Sequence, residues 1–162
     1  MTRKTDYGLV AMAHLAAPGG GSVSARELAR RLQLRVPVLM NVLNRLAHAG
    51  LVRSTRGASG GYELARSPEG ISLADLIEAI DGPVKLARCC CEDDVDDVDR
   101  CDLEGSCAVR EPVRKVHEGL RGYLQQVTLA HIASHDVPIH LGFVRGAAAV
   151  DVLRVAVDSQ VN

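Results

Sequence analysis

Val36-Pro37-Val38-Leu39-Met40-Asn41-Val42-Leu43-Asn44-Arg45-Leu46-Ala47-His48, followed closely by Leu51-Val52-Arg53-Ser54-Thr55, Arg56-Gly57-Ala58-Ser59-Gly60-Gly61 and Tyr62-Glu63-Leu64-Ala65, decides the fold of this 162-residue chain. In the first part Leu39, Val42, Leu43 and Leu46 recur at helical spacing. Pro37 falls in the first turn, where its missing N–H is tolerated, and Gly50 is a terminator, so a helix is predicted over 36–48. The second part changes period. Two short strand-like stretches enclose a glycine-rich tip, which reads as a β-hairpin.

Working outward, Ser24-Ala25-Arg26-Glu27 is a capping-box pattern that opens a helix running through Leu32, and Gln33-Leu34-Arg35 is a tight turn. Two short helices joined by such a turn make a helix-turn-helix, and the hairpin behind it is a wing. Upstream, Leu9, Met12, Ala13, Leu15 and Ala16 give a first helix over 5–16, ended by Pro18-Gly19-Gly20-Gly21. Downstream, Leu73, Leu76, Ile77 and Ile80 share one face of a helix over 71–80, stopped by Asp81-Gly82-Pro83. Further on, Val109, Val113, Val116, Leu120, Tyr123 or Leu124, and Val127 recur at alternating steps of four and three in a predicted helix over 109–133. A helix of that length carries more apolar surface than a small winged helix can cover, which points to a homodimer; the plainer alternative is packing against its own domain.

The expected architecture is therefore mainly α with a small β wing: a winged helix-turn-helix over 1–82, a cysteine-rich loop over 83–108, a dimerisation helix over 109–135 and a C-terminal extension over 136–162 whose role the residues do not reveal.

Charge divides the chain in the same places. Residues 1–66 carry ten Lys or Arg against three acids, a balance of +7, whereas residues 67–108 carry three against twelve, a balance of −9. A basic N-terminal module is the footprint of a phosphate-backbone binder. With one Phe, three Tyr and no Trp the chain lacks stacking platforms for single strands, so the expected partner is double-stranded DNA. On winged-helix geometry Arg35, Met40, Asn41, Asn44 and Arg45 are the candidates to face the groove or the phosphates, and Arg56 is the wing contact. Asn41 has the chemistry to pair an adenine bidentately. The plainer alternative is that these side chains are only the solvated face of a helix.

All five cysteines, Cys89, Cys90, Cys91, Cys101 and Cys107, lie in one 19-residue acidic segment. The odd count and local spacing are unlike a secreted disulfide framework, and Asp6 and His14 make the N-terminal apolar run an amphipathic helix rather than a signal peptide. No stretch approaches the length needed to cross a bilayer, so a cytoplasmic protein with no membrane partner is expected. No nucleophile-base set or cofactor fingerprint stands out, so an enzyme is not expected.

Thr5-Asp6-Tyr7-Gly8-Leu9, the wing Val52 to Tyr62, Asp81-Gly82-Pro83, the Cys101-x5-Cys107 pair and Gln126-Val127-Thr128-Leu129 together resemble the IscR/NsrR type of bacterial regulators, over about residues 1–135. The stretch from Cys101 to Arg110 is most similar to regulators of SUF iron-sulfur assembly operons. The resemblance implies a dimeric winged-helix repressor or activator whose operator affinity follows an iron-sulfur cluster, 2Fe-2S or 4Fe-4S. It also implies three cysteine ligands: Cys101, Cys107 and one of the triplet, with Cys89 fitting best and Cys90 and Cys91 as alternatives. The position where some relatives place a histidine ligand is Arg110, which cannot ligate; others use a carboxylate from the partner's first helix, and Asp6 stands there. A spare cysteine or a small molecule competes with Asp6. Beside the cluster stand nitric-oxide or redox sensing by the same fold, a structural zinc site, for which the paired C-x2-4-C knuckles are missing, and a disulfide-forming thiol sensor.

Overall fold

The computed structural model describes residues 2–17, 21–55, 60–87, 90 and 106–137. Helix α1, Arg3–Ala16, starts at Thr2, whose hydroxyl accepts from the Lys4 amide. It buries the stripe Thr5, Gly8, Ala11, Met12 and Leu15. Helix α2 is Ala25–Arg31, capped by Ser24, whose hydroxyl accepts from the Glu27 amide at 3.2 Å. The other half of the expected capping box is replaced: Glu27 instead accepts from Arg30 Nε and Nη2 and from Arg31 Nε, at 2.9, 2.7 and 2.7 Å. Two guanidinium groups within one turn give charge-assisted bonds that outcompete a single amide. They hold the Glu27 carboxyl at about 2, first through the Arg30 hydrogen bond and then that of Arg31.

Helix α3 is Val36–His48, with Pro37 in its first turn and Leu39, Val42, Leu43 and Leu46 buried. It ends at Gly50, whose positive φ only glycine adopts without strain. Strands β1, Val52–Thr55, and β2, Gly61–Leu64, pair antiparallel with Val52 opposite Leu64 and Thr55 opposite Gly61. The hairpin is tied to the turn before α2 by a two-bond bridge between Val23 and Tyr62. Gly61 makes that approach possible, since a Cβ there would lie 2.6 Å from the Val23 carbonyl carbon.

After a 3-10 turn at Pro68–Gly70, helix α4 occupies Leu73–Asp81 behind a full Ser72/Asp75 capping box. It crosses α1 and α3, and Ile80 fits against Gly8. Its C-terminal end is held twice. Thr2 donates both its amide and its hydroxyl to the Asp81 carboxylate at 2.6 Å each, and Arg45 Nη1 donates to the Ile80 carbonyl at 2.7 Å.

The helix expected over 109–133 is two helices: α5, Arg110–Gln126, and α6, Leu129–Ala133. The chain turns extended at Val127, because that residue joins the core edge: Leu73 N donates to Val127 O at 2.7 Å and Leu129 N to Ile71 O at 2.8 Å. Thr128 then caps α6, with His131 Nδ1 accepting from the Thr128 amide in place of the usual carboxylate. Leu129 and Val127 are both 1% exposed, and Leu129 belongs to the cluster containing Met12, Leu43, Leu46 and Ile71. On α5 itself no residue is buried, and Val109 and Val116 are 61% and 53% exposed. The extension expected over 136–162 lies, from residue 138 on, outside the described residues.

Two outcomes follow for stability. Leu129→Ala is expected to lower the unfolding free energy by about 2–5 kcal/mol, the range for truncating a buried leucine, in urea titrations monitored by circular dichroism; an unchanged midpoint would place α6 outside the core. The Asp81 carboxyl lies below its ordinary value, chiefly through the Thr2 hydroxyl. A carboxylate whose folded pKa is depressed contributes stability above its unfolded pKa and loses it as pH falls through the folded one. Asp81→Asn should therefore lower the urea midpoint at pH 6 and narrow its drop between pH 6 and pH 3, whereas a variant with the wild-type pH profile would refute the Thr2 link.

Candidate nucleic-acid interface and cysteine segment

The outer face of α3 lies opposite its buried leucines. Arg35, Asn41, Asn44 and Arg45 are exposed there, and Met40 is half-buried. The five are not equivalent. Arg45 spends one guanidinium nitrogen on the Ile80 carbonyl, and the Met40 sulfur accepts from the Tyr62 hydroxyl at 3.8 Å. Met40 therefore ties the helix to the wing strand. Arg35 is the N-cap of α3 without a side-chain capping bond, and Asn41 and Asn44, three residues apart, share one exposed face. Arg56, the expected wing contact, lies outside the described residues.

The wing's base is fixed by short polar ties. Gly61 N donates to Thr55 Oγ1 at 3.2 Å, and Ser22 Oγ lies 3.3 Å from Thr55 Oγ1. Arg53 Nε donates to Glu63 across the hairpin at 2.9 Å. Arg66 Nη2 donates to the Ala49 carbonyl at the end of α3, where a cation meets the negative end of the helix. These contacts join wing, α3 and the turn before α2 into one rigid surface. Arg26 on α2, not among the candidates named from the sequence, is exposed and has no carboxylate partner among the described residues; its signal was only its place in the basic half of the chain.

Of the expected metal ligands, three are described. Asp6 is exposed in the first turn of α1, next to the buried Thr5. Cys107 is half-buried immediately before α5, and its carbonyl accepts from the Arg110 amide. Cys90 is 8% exposed, in a turn where its amide donates to Ala87 O. Cys89, Cys91 and Cys101 lie outside the described residues. Among the described residues no three His, Cys, Asp or Glu side chains converge on one point. His117, on α5, has a buried Nδ1 without a hydrogen-bond partner among the described residues. The donor chemistry, thiolates with one carboxylate in reserve, suits a soft or borderline metal.

The segment carrying the cysteines follows Gly82, the C-cap of α4, and precedes α5. Its first anchor is thus the same α4 end that holds Arg45 of α3 and Thr2 of α1. No helix among the described residues is long and apolar enough to cross a membrane.

Comparison with known proteins agrees with this architecture. Residues 1–135 match the family model of Rrf2, described as an iron-dependent transcriptional regulator. A Mycobacterium tuberculosis protein named as an HTH-type transcriptional regulator, Rv1287, is 34% identical over 145 residues, covering 87% of this chain and 85% of its own. The solved structure of CymR, the global cysteine regulator of B. subtilis, superposes with a TM-score of 0.64 at 31% identity, over 83% of this chain and 96% of that one. IscR of T. potens superposes with a TM-score of 0.62 at 33% identity, over 83% and 86%. The chain is a winged-helix protein of the Rrf2 family of transcriptional regulators.

Proposed function

We propose that this chain is a dimeric regulator that binds double-stranded operator DNA with α3 and the wing, and whose affinity is switched by an iron-sulfur cluster, in control of iron-sulfur assembly genes. The observation that carries the reading is the placement of five thiols in one segment anchored at the α4 end that also holds Arg45 of α3. In this reading Cys101, Cys107 and one of Cys89, Cys90 and Cys91 hold the cluster, and Asp6 of a second copy completes the site. Such a cluster supplies an oxidant- and iron-sensitive centre, most labile where a ligand is not a thiolate. The chain's own part is mechanical: Thr2, just before α1, holds the α4 end after which the cysteine segment begins, and Arg45 links that end to α3.

The second copy is placed on α5. Its open stripe at Val109 and Val116 is flanked by Arg114, within 3.8 Å of Glu111 and 3.7 Å of Glu118, the pattern of an apolar seam with charged edges. A cytoplasmic location belongs to the same reading. A second reading, a thiol switch without a cluster, draws on the adjacent Cys89-Cys90-Cys91 and on the likeness to a global cysteine regulator.

Purified without oxygen, the full-length protein is expected to be brown, with visible absorption that Cys101→Ala or Cys107→Ala removes. A colourless protein carrying stoichiometric zinc overturns the cluster. Asp6→Ala should leave the thiols in place but shift the spectrum or shorten its lifetime in air; an unchanged spectrum and lifetime remove Asp6 from the site. Arg56→Ala should weaken duplex binding and reduce the salt slope by about one, as loss of one phosphate contact does; an unaltered slope, measured by titration at several salt concentrations, counts against the wing.

A further inference from the structure

We infer that the apolar first turn of α3, Val36-Pro37-Val38, reads thymine methyl groups in the major groove next to the base pair contacted by Asn41. The inference rests on α3 being the groove-facing helix. In a helix-turn-helix the N-terminal residues of that helix approach the base edges, so what the first turn displays is what the bases meet. Here it displays hydrocarbon.

The four aliphatic residues on the inner face of α3, Leu39, Val42, Leu43 and Leu46, are each 0% exposed, whereas Val36 and Val38 are each 37% exposed and Pro37 is exposed between them. About a third of each valine side chain is left open to solvent at this turn. Two of the polar candidates on the same helix are occupied elsewhere: Arg45 by the Ile80 carbonyl, and the Met40 sulfur by the Tyr62 hydroxyl. The outward chemistry of the first half of α3 is then Arg35, the apolar turn and Asn41. Exposed Arg35 heads the turn, and with exposed Arg26 on α2 it belongs to the basic half of the chain, whose charge suits phosphates and makes duplex DNA the occupant.

Major-groove base edges offer one apolar group, the C5-methyl of thymine, and aliphatic side chains are its partners. Val38 precedes Asn41 by three residues and lies on an adjacent strip of the helix surface. Three residues span about 4.5 Å of helix axis, against a base-pair step of about 3.4 Å along duplex DNA, so the two side chains reach neighbouring base pairs. The valines are suited to the task in one further respect. Their β-branched side chains hold a single preferred χ1 in a helix, and Pro37 fixes the backbone between them, so little conformational freedom is lost on docking.

The test uses one atom group on the DNA. A randomised duplex pool is selected with the full-length dimer, and the enriched duplex is synthesised with thymine and again with uracil in its place, which removes only the methyl groups. Wild-type protein is expected to bind the uracil duplex about fourfold more weakly per methyl contacted, the value of burying one carbon. Val38→Ala, at an exposed helix position where alanine is the better helix former, should bind both duplexes alike, and Val38→Ile should keep the preference. Equal binding of the two duplexes by wild-type protein overturns the inference, as does a preference that survives Val36→Ala, Pro37→Ala and Val38→Ala together. A Val38→Ala protein that keeps the preference and changes oligomeric state assigns the turn to a protein contact, which also overturns it. Asn41→Ala and Asn44→Ala separate the two levels: if neither alters the enriched sequence, or the pool enriches nothing, groove reading by α3 itself fails, whereas an altered sequence with uracil tolerated sinks only the methyl contact.

Discussion

The close contact between Gly8 of α1 and Ile80 of α4 is the constraint on which the rest of the molecule depends. A Cβ at residue 8 would overlap the end of the Ile80 side chain, so Ile80 keeps this place against α1 because that carbon is missing. The closeness puts the last turn of α4 within hydrogen-bonding reach of two other helices. Asp81 takes the amide and hydroxyl of Thr2, and the Ile80 carbonyl takes Arg45. A helix end normally leaves carbonyls unsatisfied. Here one of them is the fastening point of α3, and the cysteine segment begins three residues later.

The positive charge of the N-terminal half is less available than its count implies. Arg30 and Arg31 share Glu27, Arg53 pairs with Glu63, and Arg45 and Arg66 are directed at backbone carbonyls. Exposed pairs of this kind contribute roughly 0–1 kcal/mol each, so a phosphate can compete for them at little cost. They are better regarded as devices that hold guanidinium groups in place until a duplex arrives. Arg26 and Arg35 have no such partners among the described residues and are open to phosphate from the start.

Local chemistry made much of the fold legible. Helix α3 spans the residues its periodicity marks, because Pro37, the leucine spacing and Gly50 all act within a few residues of one another. What escaped was decided by partners distant in sequence. The apolar repeat continues through Val127, and only the hydrogen bonds to Leu73 and Ile71 stop the helix there. The cap of α6 uses His131 where the familiar pattern has an acid, and Glu27, which matches that pattern, is diverted by arginines. At the cysteine segment the residue types announce their chemistry, but which thiols converge depends on a long loop whose path has no periodic signature. Asp6 shows the same limit: its position in α1 is local information, whereas the partner proposed for it lies on another chain.

The return of the chain through Val127 to Leu129 also orders events on the ribosome. Chains emerge from the N-terminus and domains settle as their parts become available. The core around Met12, Leu43 and Ile71 lacks one of its fully buried leucines until residue 129 has been made. By then the whole cysteine segment and α5 have already left the exit tunnel or entered it. A newborn chain therefore cannot complete this core until the cysteine segment and α5 have been synthesised.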